Sequence, residues 1–384
     1  MDDIAVIGFL LAISVGFIAS LLSKSAKLPY VPMLLIVAAL MGPYGMEIVD
    51  EKSIDIFASI GAVLLLYVIG LEMRTEELGK LGLISFVFAI LKIFLVAFFV
   101  ALVALYFEIP LINAVLLGFT LAITSTAIFA RAIKDFKLSD KKESKIIYTE
   151  LVWEDVFAVI FIAAISSSTE ISGGALFMPI LNTIFFGILI LLMNFFILGI
   201  VELIPKDDEL YFLFYLSFSG LILLLGLLFS VPPSVAAFFA GVTSSTHKQV
   251  KGVREKIEFF TSLFVMMFFL SLGMKANFLA LLDPGLLLTT FVFLILSIVA
   301  KMTVSSASLI FFKTKVETAA LMGILMVSTG EFSMLIAVSI SNMFSFDIVT
   351  ITTAIVFLSS ILTWFLAKHT AAYTKILSHF FKVK

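Results

Sequence analysis

Thirteen apolar stretches follow one another along this chain, over roughly 4–23, 29–47, 54–72, 80–107, 110–134, 145–166, 173–203, 209–230, 232–246, 255–276, 284–312, 316–341 and 346–379. Crossing the hydrocarbon core of a bilayer takes about 20 apolar residues of α-helix, and most of these stretches are long enough. The expectation is an all-α polytopic membrane protein with about 13 transmembrane helices. The second and ninth stretches are short, and each opens on prolines, Pro29 and Pro32 in one and Pro232 and Pro233 in the other. A helix start tolerates proline because its first N–H groups are unpaired there anyway.

Composition points the same way. Hydrophobic residues make up 62% of the 384 and charged ones only 14%, with 42 Phe, whereas soluble domains carry about a quarter charged residues. So few charges cannot cover so much apolar surface in water. The net charge of −2 says nothing about nucleic acid, which is not an expected partner, and the absence of Cys excludes disulfides, thiol catalysis and Cys-based metal sites. Asp2 and Asp3 precede the first apolar stretch. A cleavable signal needs a positive start, so a retained first helix and a multi-pass protein of the cell membrane are expected.

The basic residues set the orientation. Loops after odd-numbered stretches hold 17 Lys and Arg, six of them from Arg131 to Lys145, against Lys52 and Lys275 after even-numbered ones. The positive-inside rule places the odd loops in the cytoplasm, with the N-terminus outside and the C-terminus, bearing Lys375, Lys382 and Lys384, inside.

An internal repeat accompanies this topology. Ile54 to Ile60, leading to Gly70, matches Ile257 to Leu263, leading to Gly273, at an offset of 203. Ser85 to Leu91 matches Thr290 to Leu296 at an offset of 205. Stretches two to six thus correspond to nine to thirteen. They lie seven apart, so the copies enter the membrane from opposite sides. Inverted repeats are a feature of transporters and place a site near the midplane between the copies.

That frame singles out two adjacent acids, Glu154 and Asp155, in the sixth stretch. A helix beginning near Lys145 reaches them after about 15 Å at about 1.5 Å per residue, roughly half the hydrocarbon thickness. Carboxylates at that depth are costly and mark ion or proton pathways by default. In the fifth stretch the apolar run is interrupted by Thr124, Ser125 and Thr126, and in the twelfth by Ser328, Thr329, Gly330 and Glu331. Ser and Thr offer the backbone other partners and Gly tolerates non-helical angles. Both places are candidate unwound helices, although Thr124 to Thr126 suit ordinary packing between helices equally well. Lys301 is a deep cation that needs an acid partner, and Glu154 is the expected one. Lys92 is equally deep; Glu331 or Glu72 are conceivable mates, and a structural role is expected. Gly42-Pro43, Gly70-Leu71-Glu72 and Gly273-Met274 look like helix ends and close-packing points. His247, His369 and His379 have no metal-ligand spacing, and no phosphate loop or nucleophile–base arrangement suggests an enzyme.

Taken in order, Leu28-Pro29, Gly42-Pro43, Gly70-Leu71-Glu72, Ser125-Thr126-Ala127, Glu154-Asp155, Ala237 to Gly241, Phe268 to Met274, Lys301 and Gly330-Glu331-Phe332 resemble the second monovalent cation:proton antiporter family. That family includes bacterial Na+/H+ antiporters and glutathione-gated K+ efflux proteins. The resemblance implies a single transporter domain with a dimerisation part, about 1–72 and 173–276, and a mobile core, about 80–166 and 284–380. It implies a homodimer in membrane lipid, crossed unwound helices and elevator-like alternating access. Asp155 would bind the transported cation and protons in competition, with Lys301 as the basic partner. No cofactor is implied, only transported Na+ (or K+ or Li+) and H+. Glu154 departs from the Asp, Asn or Gln usual at its position, and a second acid there favours electrogenic Na+/H+ exchange. K+/H+ exchange is the alternative; a cation channel and a Na+-coupled carrier of organic anions share parts of the pattern. The soluble nucleotide-binding domain usual in the K+ efflux branch is not expected in this chain.

Overall fold

The computed structural model describes residues 2–26, 29–49, 53–73, 75–138, 141–166 and 177–381. Leu28 and the basic residues Lys27, Lys52, Arg74, Lys382 and Lys384 lie outside them. Among the described residues every regular element is helical, apart from one isolated antiparallel bridge between Thr124 and Thr329. Eight helices among the described residues are long and apolar enough to cross a membrane. Their outward faces are apolar too: Phe259 is 84% exposed and Phe311 83%, which suits hydrocarbon rather than water.

The helices fall into two compact units. The first comprises Met1–Leu21, Leu34–Glu76 and Val159–Lys275. It holds most of α1 (Asp2–Ala26) and α2 (Tyr30–Met41), all of α3 (Asp55–Glu72), and the end of α7 (Lys142–Ser166). It also holds α8 (Phe177–Leu203), α9 (Asp208–Leu228), α10 (Pro233–Ser245) and α11 (Val250–Met274). Here α3 packs chiefly on α10 and α11. A Cβ on Gly70 would lie 2.3 Å from Phe238 O, and one on Gly241 2.1 Å from Tyr67 O. Backbone therefore presses on backbone, and no larger residue fits at either place. The α2–α11 contact is made the same way, with a Cβ on Gly273 falling 2.6 Å from Leu35 O. The contacts of Gly70 with Phe238 and of Gly273 with Leu35 keep the sequence offset of 203 at both ends. Gly70 and Gly273 are the close-packing points their sequence context suggests.

The turn after α10 carries a polar chain. Asn194 Nδ2 donates to Thr246 Oγ1 (3.0 Å), so its Oδ1 is left to accept from His247 Nε2 (2.8 Å). Nδ1 then accepts from the Tyr215 hydroxyl at 3.3 Å. Burial pushes the His247 pKa down from 6.5 to about 4, because a charged imidazole loses its hydration there.

The second unit comprises Leu22–Met33, Glu77–Ala158 and Ala276–Lys384. It contains most of α4 (Thr75–Tyr106), then α5 (Leu111–Ala122), α6 (Thr126–Asp135) and the greater part of α7. It continues with α12 (Pro284–Phe311), α13 (Val316–Leu325), α14 (Glu331–Ile340), α15 (Ile348–Lys368) and α16 (Thr370–Phe381). Its apolar core joins Phe88, Phe129, Leu151, Leu309, Met322 and Leu377. The single apolar stretches 110–134 and 316–341 are each two short helices, as the Ser/Thr/Gly clusters suggest. The last stretch also divides, at His369, where no Gly or Pro announces a stop.

Candidate functional site

The two interruptions in the second unit meet. α5 ends at Ala122 and α6 begins at Thr126; α13 ends at Leu325 and α14 begins at Glu331. Ser125 N donates to Ser328 O (3.0 Å) and Gly330 N to Ile123 O (3.2 Å), which forms the antiparallel bridge. A Cβ on Gly330 would stand 2.8 Å from Thr124 O, so the approach requires glycine at that position. Helix ends leave backbone groups unpaired, and inside a membrane each must find a partner. Here they do. Thr124 N donates to Glu154 Oε2 (3.0 Å), and Thr329 N donates to Ser359 Oγ (3.0 Å).

Each buried lysine serves one break. Lys301, fully buried on α12, donates to Thr329 Oγ1 (3.0 Å) and to Ile123 O (2.9 Å), the carbonyl just past the end of α5. A cation at a helix C-terminus meets the negative end of its dipole. Lys92 on α4 donates to Thr124 Oγ1 at 2.8 Å. Its ammonium is also paired with the Glu154 carboxylate and lies 3.5 Å from Glu150 Oε1. All three side chains are at most 4% exposed.

This differs from the sequence expectation in two respects. Glu154 pairs with Lys92 and not with Lys301, which makes no ion pair among the described residues. Lys92 has Glu154 and Glu150 as mates, rather than Glu331 or Glu72. The reason is reach: Lys301 ends at the break itself, where a carbonyl and a hydroxyl accept its hydrogen bonds. Glu150 was not singled out from the sequence, although its position one turn before Glu154 puts both acids on one face of α7. Ser359 was missed too. It stands 205 residues after Glu154, the offset of the second pair of matching segments.

Asp155 is 7% exposed, and its Oδ2 accepts from Thr126 Oγ1 at 3.2 Å. Thr126 is the first residue of α6, so this carboxylate stands at the positive end of a helix that starts inside the fold. Ser125 caps the same helix by accepting from Ile128 N (3.4 Å), and its hydroxyl donates to Glu331 Oε2 (3.5 Å) at the start of α14. The structure thus brings Thr124, Ser125, Thr126, Thr329, Gly330, Glu331, Glu154, Asp155 and Lys301 into one polar cluster, and adds Lys92 and Glu150. Four carboxylates and two ammonium groups lie there, with Glu154 and Glu150 both paired to Lys92. The arrangement offers carboxylate and hydroxyl oxygens at a helix start, a donor set suited to a small hard cation or a proton.

Comparison with known proteins gives this arrangement a family. The chain is 28% identical over 260 residues to the glutathione-regulated potassium-efflux system protein KefC of Escherichia fergusonii, covering 66% of this chain and 42% of that protein. With KefC of Shigella sonnei it is 29% identical over 264 residues, with the same coverage. The chain therefore spans less than half the length of these relatives. In three dimensions it is similar to the sodium proton antiporter MjNhaP1 of Methanocaldococcus jannaschii, with a TM-score of 0.75, 18% identity, and coverage of 96% of this chain and 98% of that one. The fold is shared although most side chains are not. Residues 9–368 match the sequence model of the transmembrane region of sodium/hydrogen exchangers, so this multi-pass membrane protein belongs to the sodium/hydrogen exchanger family.

Proposed function

We propose that the chain is a secondary active monovalent cation/proton antiporter, exchanging Na+ for H+ by alternating access, with both ions competing for Asp155. The observation that carries this reading is the buried Asp155 carboxylate beside a helix start, held by Thr126 and next to two bridged helix breaks. Such a group is too costly to move through a barrier without a bound cation or proton. Movement with either ion bound, and not with neither, couples the two fluxes without any covalent step. Membership in the exchanger family supports the reading, and so does the likeness in fold to the sodium proton antiporter MjNhaP1. The similarity to potassium-efflux proteins favours K+/H+ exchange as the second reading.

The finer picture has the N-terminus outside, the C-terminus inside and about 13 spans in two inverted copies. It is supported by the contacts that recur at offsets of 203 in the first unit and 205 in the second. In this picture the first unit forms the dimerisation part of a homodimer, and the second is the core that moves like an elevator. Purified protein in proteoliposomes holding a pH gradient tests the reading. Fluorescence dequenching on separate addition of Li+, Na+ and K+ reports exchange and ranks the ions. Asp155→Asn should abolish the signal in protein that still folds, and full activity in that variant would remove Asp155 from the mechanism.

A further inference from the structure

We propose that Lys92 is a positioning residue of the cation site: it holds the acids of α7 against the first helix break and so fixes the backbone that leads into Thr126. The inference rests on Asp155 being the ion carrier, and it adds a residue that neither the repeat nor the acid pair points to.

Lys92 belongs to a closed ring. Its ammonium pairs with Glu154 and donates to Thr124 Oγ1, while the second oxygen of Glu154 accepts from Thr124 N. The amide and the hydroxyl of Thr124 are therefore held by one lysine–glutamate pair. Two residues on stands Thr126, whose hydroxyl meets Asp155. An error of an ångström at Thr124 is passed directly to the oxygens around the ion. The charged groups facing Lys92 are Glu150 and Glu154 on α7; Lys301 on α12 is within electrostatic range of both Lys92 and Glu154.

The second break is fastened in the same way but without a carboxylate. There Thr329 N is taken by the neutral Ser359, and Thr329 Oγ1 by Lys301. The counterpart of Lys92 at the offset of 205 is Ser297, and Lys301 stands four residues, about one helical turn, further along α12. The two lysines thus do the same job from different turns. Lys92 alone carries carboxylates with it. Glu154 and Glu150 pair with no other cation among the described residues, so loss of Lys92 leaves two buried acids without an ion-pair partner.

The test uses the full chain in proteoliposomes, measuring apparent KM and Vmax for Na+, with Na+-dependent thermal stabilisation in detergent as a readout free of transport. Lys92→Met should raise the KM for Na+ about tenfold and weaken the Na+-dependent shift. Lys92→Met combined with Glu154→Gln should recover part of that loss, to within about threefold of the parent, because one of the two unpaired acids is gone. If Lys92→Met does not fold, the double variant decides: a raised KM supports the assignment, and a parental KM overturns it. A folded Lys92→Met with parental KM and only a lower Vmax or melting temperature makes Lys92 a helix tie and nothing more. Asp155→Asn runs alongside as the control. If it still exchanges, the assignment of Asp155 as ion carrier fails; if it is inactive while Lys92→Met keeps parental KM, only the role of Lys92 fails.

Discussion

At Gly70 and Gly241 two unbroken helices press backbone against backbone, whereas at Thr124 and Thr329 two interrupted ones face each other across two hydrogen bonds. Both junctions join segments far apart in the sequence, 171 residues from Gly70 to Gly241 and 205 from Thr124 to Thr329. The first is made from the absence of side chains and carries no charge. The second exposes peptide groups inside the fold and needs two lysines, a glutamate and a serine to occupy them. Close packing yields a contact that can do only one thing. A polar break yields one that holds side chains in a chosen chemistry, at the cost of desolvating every group involved.

The largest effect should come from the polar side. Asp155→Asn is expected to bring cation-driven dequenching to background while the melting temperature stays within a few degrees of the parent. On the packed side, Gly241→Leu drives a side chain into Tyr67 O and should cost about 1–3 kcal/mol or more, read as a lower melting temperature in detergent. Gly220→Ala is the control, because a Cβ there meets nothing within 4 Å. If the two glycine variants melt alike, the backbone contact is not what holds α3 to α10.

Within the polar junction, Ser359→Ala leaves Thr329 N without its acceptor. Burial of an unmade hydrogen bond costs about 1–3 kcal/mol, so a lower melting temperature is expected with Na+ affinity close to parental. A large loss of Na+ affinity would mean that the neutral break contributes to the site as directly as the acidic one. The smallest effect belongs to His247. Its lowered pKa means the folded chain holds a neutral imidazole where the unfolded chain binds a proton. Stability from this group is complete above pH 6.5, declines as pH falls toward about 4 and then levels off. Melting temperatures measured from pH 7.5 to 4.5 should fall less steeply in His247→Gln. An unchanged slope would remove His247 from the pH dependence.

Much of the fold and of the polar cluster is legible in the residues alone, for physical reasons that differ from place to place. Apolar length locates helices, and Ser, Thr and Gly clusters locate breaks, because both are local properties of the chain. Asp155 stands out because a carboxylate deep in an apolar helix is too costly to keep there without a use. The partner of Glu154 was not legible. Lys92 and Lys301 are equally deep in long apolar helices, and which one reaches α7 depends on rotation and tilt fixed by packing. Glu150 was hidden by its position in Thr149-Glu150-Leu151-Val152-Trp153-Glu154, where it reads as the edge of a charged loop. The division at His369 was hidden because Lys368-His369-Thr370 contains no helix breaker.

The fastenings around the breaks also bear on how such a chain is made. Lys92, Thr124 and Glu154 all come from the first half of the sequence, and Lys301, Thr329 and Ser359 all come from the second. Each interrupted helix thus brings its own lysine and its own acceptor for the threonine amide. While synthesis proceeds from the N-terminus, the first break can be fastened before the second has left the ribosome. The bridge itself needs both halves, as do the bonds that Lys301 donates to the Ile123 carbonyl, Thr124 Oγ1 to the Met326 carbonyl and Ser125 Oγ to Glu331. Fastening of each threonine amide is thus local to one half of the chain, whereas joining the two breaks cannot precede synthesis of the second.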